Sequence, residues 1–279
     1  MRRRFIQCDV FTAKASKGNG LAVVVDALGL TDSQMQDFAA WTNLAETTFL
    51  LPPTTTEADY KVRIFTPARE MPFAGHPTLG SCAAWLRCQG KPRNAGVVVQ
   101  ECNIGLITID LSGTAPAFAA PPTTWAPIPS DHLHDLMRAF AIDPSRVVGS
   151  ARLANGPVWQ VLELDSAQSV LCVDAQRARY PHFQGIGFIG PHPPGSECDY
   201  EVRMLCPSSG MLEDPITGSL NAAIAAWKYA TGAWSRPISV AQGSKIGREG
   251  RVFLRHDHAT GTVWVGGQTC HLIEGTLDL

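Results

Sequence analysis

Short runs of apolar and β-branched residues, separated by glycine, proline and polar residues, recur along this chain and predict β-strands. In the first half these runs cover residues 5–11, 21–26, 47–51, 58–65, 97–99 and 104–111. A helix is predicted from Thr31, where Gln34 completes a capping-box pattern, to about Trp41. A second helix is predicted from Pro77 to about Cys88, because proline is tolerated in a first helical turn.

The second half predicts the same kinds of element. A surface helix is expected over residues 130–141 and another over 217–230, with strands between them and up to the end of the chain. Residues 115–129, rich in proline and alanine, are the expected crossover between two domains. We therefore expect one domain at 1–115, with 271–279 as a candidate addition to it, and another at 116–270. The pattern lacks regular strand–helix alternation, which favours the α+β class over a Rossmann fold.

An internal repeat relates the two halves. The segment 62–85 resembles 202–227, and within it the six residues from His76 match the six residues from Asp214, with proline second and Gly-Ser last. Farther along, residues 100–105 (QECNIG) match residues 242–247 (QGSKIG). The repeat predicts two similarly built halves whose equivalent loops face one cleft, and it places His76 and Asp214 at equivalent positions.

Composition narrows the possible functions. The chain has 279 residues, 45% of them hydrophobic and 17% charged, so it can bury a substantial core. A net charge of −2 gives no basic field for nucleic acid or an anionic membrane. There is no apolar run long enough to span a bilayer, and Gln7, Cys8 and Asp9 interrupt the apolar segment that a signal peptide needs.

Sequence motifs give little support for a bound cofactor. The chain contains no P-loop, HExxH or CxxC pattern, and we expect an enzyme without a metal or organic cofactor. The eight cysteines are scattered rather than clustered, as is usual for a reducing compartment, and we expect a cytoplasmic protein.

The starts of the two helices predicted after the repeated Val-Arg strands are candidate anion sites. Helix N-termini present free N–H groups, and Gly75, Gly218 and Ser219 are small enough to let a carboxylate approach the backbone. His76 and Asp214 lie beside these starts and suit proton handling or oriented hydrogen bonding. The alternative is that all five residues are ordinary caps and turns.

Glu46 is the candidate acid–base residue. It follows the predicted end of the first helix, where the helix dipole disfavours a negative charge, and it has apolar neighbours such as Leu44 and Phe49. Both influences predict a raised pKa, which suits a group that accepts and returns a proton. A solvated loop glutamate is the alternative interpretation.

Taken together, these segments resemble the PhzF-like phenazine biosynthesis family, which shares its fold with diaminopimelate epimerase. The resemblance is carried by residues 9–24 (DVFTAKASKGNGLAVV), 43–49 (NLAETTF), 65–81 (FTPAREMPFAGHPTLGS) and 213–219 (EDPITGS). One departure is Gly20, which follows Asn19 where the family more often has proline.

The resemblance implies two pseudo-symmetric, strand-rich, barrel-like domains, each around a central helix, with the active site between them, usually in a homodimer. It implies that Glu46 is the catalytic glutamate and that His76 and Asp214 are polar active-site residues. Gly75, Gly218 and Ser219 match positions that contact the substrate or its carboxylate.

The epimerase relatives use two catalytic cysteines, and the matching segments here, 73–76 and 213–216, contain none. A single carboxylate can remove a proton and return it on the same face of the substrate, which is the chemistry of an isomerase. We therefore expect a cofactor-independent isomerase that acts on a small carboxylated metabolite. Two alternatives stay open. One is a racemase or epimerase with another group on the opposite face of the substrate, and the other is a catalytically silent carboxylate-binding protein.

Overall fold

A computed structural model of the chain describes residues 1–176, 185–206 and 212–279. The chain divides into two compact units. The first unit contains Met1–Ala119 and Gly266–Leu279, and the second unit contains Ala120–Val265. The expected crossover region, 115–129, holds two short strands.

The helices and strands occur in the following order. The first unit contains β1 (Arg2–Val10), β2 (Asn19–Val24), α1 (Asp32–Thr42), β3 (Glu46–Leu51), β4 (Tyr60–Phe65), β5 (Glu70–Met71), α2 (Gly75–Arg87), β6 (Val97–Cys102), β7 (Gly105–Asp110) and β8 (Ala117–Ala119). The described part of the second unit contains β9 (Thr124–Ala126), α3 (Ser130–Phe140), β10 (Val147–Ala154), β11 (Val158–Leu164), α4 (Ala167–Cys172), β12 (Gly185–Pro191), β13 (Tyr200–Leu205), β14 (Glu213–Asp214), α5 (Gly218–Ala230), β15 (Ile238–Gln242) and β16 (Gly250–His256). Then β17 (Val263–Gly266) crosses the boundary, and β18 (Thr269–Asp278) lies in the first unit.

Helix α1 begins where the sequence predicts. The side chain of Thr31 accepts a hydrogen bond from the Gln34 N–H, and the Gln34 side chain accepts one from the Thr31 N–H, so the capping box is confirmed. The helix ends at Asn43, whose backbone is left-handed with φ 53°. Asparagine tolerates this conformation better than most residues do.

Helix α2 begins at Gly75 and not at Pro77, so the predicted start is wrong by two residues. Ala74 is the extended N-cap residue, which places Pro77 third in the helix. Its missing N–H has no partner to lose in the first turn, so the helix tolerates it.

The first unit is a mixed sheet that curves around α2. Strand β1 pairs antiparallel with β18 and β2, β2 pairs parallel with β3, and the ladder continues through β4, β6 and β7 to β8. Helix α2 contacts both β18 and β8, at the two ends of this ladder, as well as β1, β2, β3 and β6. Nearly every residue of the first two turns of α2 is therefore buried.

The second unit repeats this strand order. The antiparallel pairs β10–β11, β12–β13 and β15–β16, and the parallel pairs β11–β12 and β13–β15, reproduce in order the pairings of β1, β2, β3, β4, β6 and β7. Helix α5 takes the place of α2 and has the same length, 13 residues. The repeat is therefore present in the topology of both units.

The structure corrects two details of the sequence repeat. Gly75 and Gly218 both begin their helices, so they are the equivalent residues, whereas His76 lies inside α2 and Asp214 lies in β14. The match of residues 100–105 with 242–247 is also out of register. Tyr60 pairs with Gln100, but the equivalent Tyr200 pairs with Val240 rather than with Gln242.

Candidate active site

Glu46 is the first residue of β3, just past the left-handed end of α1. Strand β3 pairs parallel with β2, and Glu46 lies opposite Leu21 in that ladder. Its side chain is 17% exposed. Glu46 is therefore a mostly buried strand residue, and the interpretation of a solvated loop glutamate is wrong.

His76 lies against this carboxylate. It is the second residue of α2, and its Nε2 atom is 3.3 Å from Oε2 of Glu46. Burial lowers the pKa of the His76 imidazole to about 3, because the charged form would lose its hydration. The ring is therefore neutral near pH 7 and lies next to the Glu46 carboxylate without carrying a charge.

Asn19 approaches the other side of the His76 ring. Its Nδ2 atom is 3.4 Å from His76 Nδ1, and both residues are buried. An amide N–H directed at Nδ1 favours the tautomer that carries its proton on Nε2, which faces Glu46. Asn19 therefore belongs with the candidate residues.

The backbone holds Asn19 in place. It is the first residue of β2 and pairs with Val10, while the Asp9 carboxylate accepts a hydrogen bond of 2.9 Å from the Gly18 N–H. Sequence reasoning missed the side chain of Asn19, although it lies in the first block of the family resemblance. The available signal was an asparagine between two glycines ahead of a predicted strand.

Asp214, Gly218 and Ser219 lie in the second unit. Asp214 is in β14 and is largely buried, and Gly218 and Ser219 are the first two residues of α5. Thr217, the N-cap residue, donates a hydrogen bond of 2.5 Å from Oγ1 to Oδ2 of Asp214. Sequence reasoning did not single out Thr217.

The structure thus brings Glu46, His76 and Gly75 together in the first unit, and Asp214, Gly218 and Ser219 together in the second. Within residues 1–176, 185–206 and 212–279, no three histidine, cysteine or acidic residues are grouped closely enough to hold a metal ion. In the same residues, no helix is both long and apolar enough to cross a bilayer.

Comparison with known proteins places this arrangement in a family. A family model described as phenazine biosynthesis-like protein, PhzC-PhzF, matches residues 8–275. Antisense-enhancing sequence 1 of Schizosaccharomyces pombe is 33% identical, over 97% of this chain and 97% of that protein. The trans-2,3-dihydro-3-hydroxyanthranilate isomerase of Pseudomonas chlororaphis is 32% identical, over 90% of this chain and 89% of that enzyme.

A solved structure confirms the fold. The crystal structure of the Bacillus anthracis phenazine biosynthesis protein of the PhzF family superimposes with a TM-score of 0.82 and 20% sequence identity, covering 100% of both chains. The predicted α+β, diaminopimelate epimerase-like fold is therefore confirmed. Full-length similarity to named isomerases confirms the predicted enzyme class as well. The chain belongs to the PhzF-like phenazine biosynthesis family of isomerases.

Proposed function

We propose that this protein is a cofactor-independent isomerase that moves a proton on a small carboxylated substrate, with Glu46 as general base and then general acid. The observation that carries the proposal is the 3.3 Å approach of His76 Nε2 to Glu46 Oε2 in a largely buried setting. An acid–base group must be shielded from water and held at a fixed position to transfer a proton efficiently.

The proposed reaction is a shift of a hydrogen along an allylic system. Glu46 accepts the proton as a C–H bond breaks, and the released electron pair forms a new carbon–carbon double bond while the old one opens. Protonated Glu46 then delivers the same proton to the far carbon on the same face. With a pKa of about 3, His76 stays neutral and donates a hydrogen bond to the carboxylate when it acts as a base.

The remaining predicted residues are proposed to bind the substrate. The free N–H groups at the starts of α2 and α5, at Gly75, Gly218 and Ser219, suit a carboxylate. Asp214 is proposed to accept hydrogen bonds from a substrate hydroxyl or amino group. From the family resemblance we also expect a cytoplasmic homodimer, which light scattering on the purified protein tests.

The thiols of this chain bear on the two-cysteine chemistry of the epimerase relatives. Burial raises the pKa of Cys8 and of Cys82 to about 12, and it raises the pKa of Cys88, Cys102, Cys198 and Cys270 as well. A thiol must ionise to act as a base on carbon. These six cysteines are therefore poorly suited to the two-thiol chemistry of the epimerases.

The first experiment replaces Glu46 with glutamine, which keeps the shape and removes the titration. The natural first substrate to test is trans-2,3-dihydro-3-hydroxyanthranilate, which the named Pseudomonas relatives act on. If that compound is not turned over, a panel of small carboxylic acids in deuterated water follows. We expect Glu46→Gln to lower kcat by about 10²- to 10⁴-fold, the usual contribution of a general acid–base group.

The control is Glu57→Gln, which makes the same change at an exposed glutamate of the first unit and should leave turnover as in the wild type. Unchanged turnover in Glu46→Gln would end the proposal. Deuterium uptake with loss of optical activity would favour the racemase. Ligand binding that is unchanged in Glu46→Ala, with no proton exchange in the wild type, would favour the silent binding protein.

A further inference from the structure

We propose that Thr217 and Gln242 are positioning residues that hold Asp214 as an ionised, hydrogen-bond-accepting carboxylate. Neither residue is among the predicted site residues. The inference rests on the proposed function in one respect, because it takes Asp214 to be a substrate-binding group. The hydrogen bonds that support it are all within the second unit.

The orientation of the Gln242 side-chain amide is set by its neighbours. One of its ends lies 3.1 Å from the backbone N–H nitrogen of Thr217 and 2.8 Å from Nδ2 of Asn221. A backbone N–H can only donate, so this end must be the oxygen, Oε1. The other end is therefore Nε2, which donates to Thr217 Oγ1 at 3.0 Å.

This orientation determines the direction of the next hydrogen bond. The Thr217 hydroxyl has one proton, and its oxygen already accepts from Gln242 Nε2. Its proton is therefore directed at Oδ2 of Asp214, 2.5 Å away. A hydroxyl that donates to a carboxylate stabilises the ionised form over the protonated form. Because Thr217, Gln242 and Asp214 are all buried, little water competes for these bonds.

The first unit contains a glutamine–threonine pair too, at non-equivalent positions and without a carboxylate. Gln100 Nε2 donates to Thr78 Oγ1 at 3.1 Å, and the Thr78 hydroxyl donates to the Ala74 carbonyl oxygen at 2.9 Å. Tyr60 holds the other end of Gln100, with its hydroxyl 2.9 Å from Oε1. In this unit the threonine hydroxyl is directed at the backbone of a helix start. In the second unit the hydroxyl is directed at Asp214 instead.

The charged residue next to Asp214 on β14, Glu213, is paired with Arg203. Glu213 on β14 accepts two hydrogen bonds from Arg203 on β13, at 3.0 and 2.7 Å. Arg203 therefore has a carboxylate partner other than Asp214. The Thr217 hydroxyl is directed at Asp214 Oδ2 from the start of α5.

The test compares Thr217→Val, which removes the hydroxyl at nearly constant shape, with Thr217→Ser, which keeps it. A hydrogen bond to a charged group is worth enough to change rates by roughly 10- to 100-fold. We expect Thr217→Val to lower kcat/KM for trans-2,3-dihydro-3-hydroxyanthranilate by that factor, and Thr217→Ser to recover most of the loss. Tyr229→Phe is the control, because it removes another buried hydroxyl of the second unit, one that donates to the Arg236 and Leu254 carbonyl oxygens. It should lower Tm while changing kcat/KM by less than about threefold.

Gln242→Glu provides a second, independent test. The introduced carboxylate still accepts from Thr217 N–H and from Asn221, but when ionised it can no longer donate to the Thr217 hydroxyl. That hydroxyl would then turn toward the new carboxylate and away from Asp214. We expect the activity of Gln242→Glu, relative to wild type, to rise as pH falls, because protonation restores a donor.

The positioning role can be separated from the proposed reaction by carboxyl ¹³C NMR of aspartate-labelled protein, with Asp214 assigned from Asp214→Asn. Removal of the hydroxyl should move the titration of the Asp214 signal to higher pH in Thr217→Val but not in Thr217→Ser. This shift without turnover of any tested substrate would support the positioning role and contradict the proposed reaction. No shift, or equal kcat/KM in Thr217→Val and wild type, would overturn the positioning role.

Discussion

At the scale of single residues, the main finding is the pairing of a buried neutral histidine with a glutamate. Glu46 and His76 come from different elements, and their side chains meet at 3.3 Å. Asn19 adds a third contact on the far side of the ring. Burial, rather than a nearby charge, lowers the pKa of His76 to about 3. A neutral ring suits a group that adjusts its hydrogen bonds as Glu46 gains and loses a proton.

The low pKa of His76 predicts a pH-dependent stability. In the unfolded chain an ordinary histidine gains a proton below about pH 6.5, whereas in the fold His76 stays neutral until about pH 3. The unfolded state therefore binds more protons in this window, and stability falls as pH decreases through it. Relative to His76→Asn, the wild type should lose about 1.4 kcal/mol per pH unit below pH 6.5.

Urea unfolding of both proteins between pH 8 and pH 5 measures this difference. His134→Asn, at an exposed position of α3, removes a histidine from the surface instead and should follow the wild type at every pH. A constant gap between wild type and His76→Asn over the whole range would contradict the predicted burial of a neutral ring.

At the scale of elements, α2 is the part of the first unit around which the sheet curves. It contacts strands at both ends of the ladder, and small residues let it approach them closely. Gly80 is a point of close packing on α2, because a Cβ added there would lie 2.5 Å from Leu21 Cδ2 and 2.8 Å from Val10 Cγ2. This close packing keeps His76 at a fixed depth below β2 and β3.

Gly80→Ala should therefore destabilise the protein although alanine is the better helix former. The gain in helix propensity is about 1 kcal/mol, whereas overpacking a tight core costs about 1–3 kcal/mol. We expect a net loss of up to about 2 kcal/mol in the free energy of unfolding, measured with urea. Gly113→Ala is the control, since its nearest neighbour would be the Ala115 carbonyl oxygen at 3.6 Å. A stabilised Gly80→Ala would show that the sheet yields at this point.

At the scale of the whole molecule, the two units share one strand order but bury their equivalent Arg–Glu pairs to different extents. Arg63 binds Glu70 in the first unit through two hydrogen bonds, and Arg203 binds Glu213 in the second unit in the same way. The side chains of the first pair are 18% and 27% exposed, and those of the second are 2% and 4% exposed. Arg203 also donates to two backbone carbonyls of the second unit.

This difference predicts unequal costs for the same mutation. Glu213→Gln leaves a buried guanidinium without its carboxylate, which should cost about 3–5 kcal/mol. Glu70→Gln should cost about 1 kcal/mol or less, because water reaches Arg63 and Asp32 still binds it. Chemical denaturation of the two variants measures both costs. Equal losses would mean that burial does not distinguish the two pairs.

The sequence alone determined the α+β class, the capped start of α1, the positions of α2 and α5 within about two residues, and the family. Each of these features can be predicted from residues a few positions apart, such as Thr31 and Gln34, or from sequence blocks that match in order along the chain. Glu46, His76 and Asp214 could be named from such blocks, but their surroundings could not.

Only the tertiary structure decided which side chains meet. The contact of His76 with Glu46 and Asn19 depends on how α2 packs beneath β2 and β3, and no local pattern encodes that distance. Strand register likewise showed that Gln242 is not the equivalent of Gln100, because pairing is set across the sheet and not along the chain. Contacts between residues far apart in sequence follow from the packing of whole elements, which is why the network around Asp214 appeared only in the folded chain.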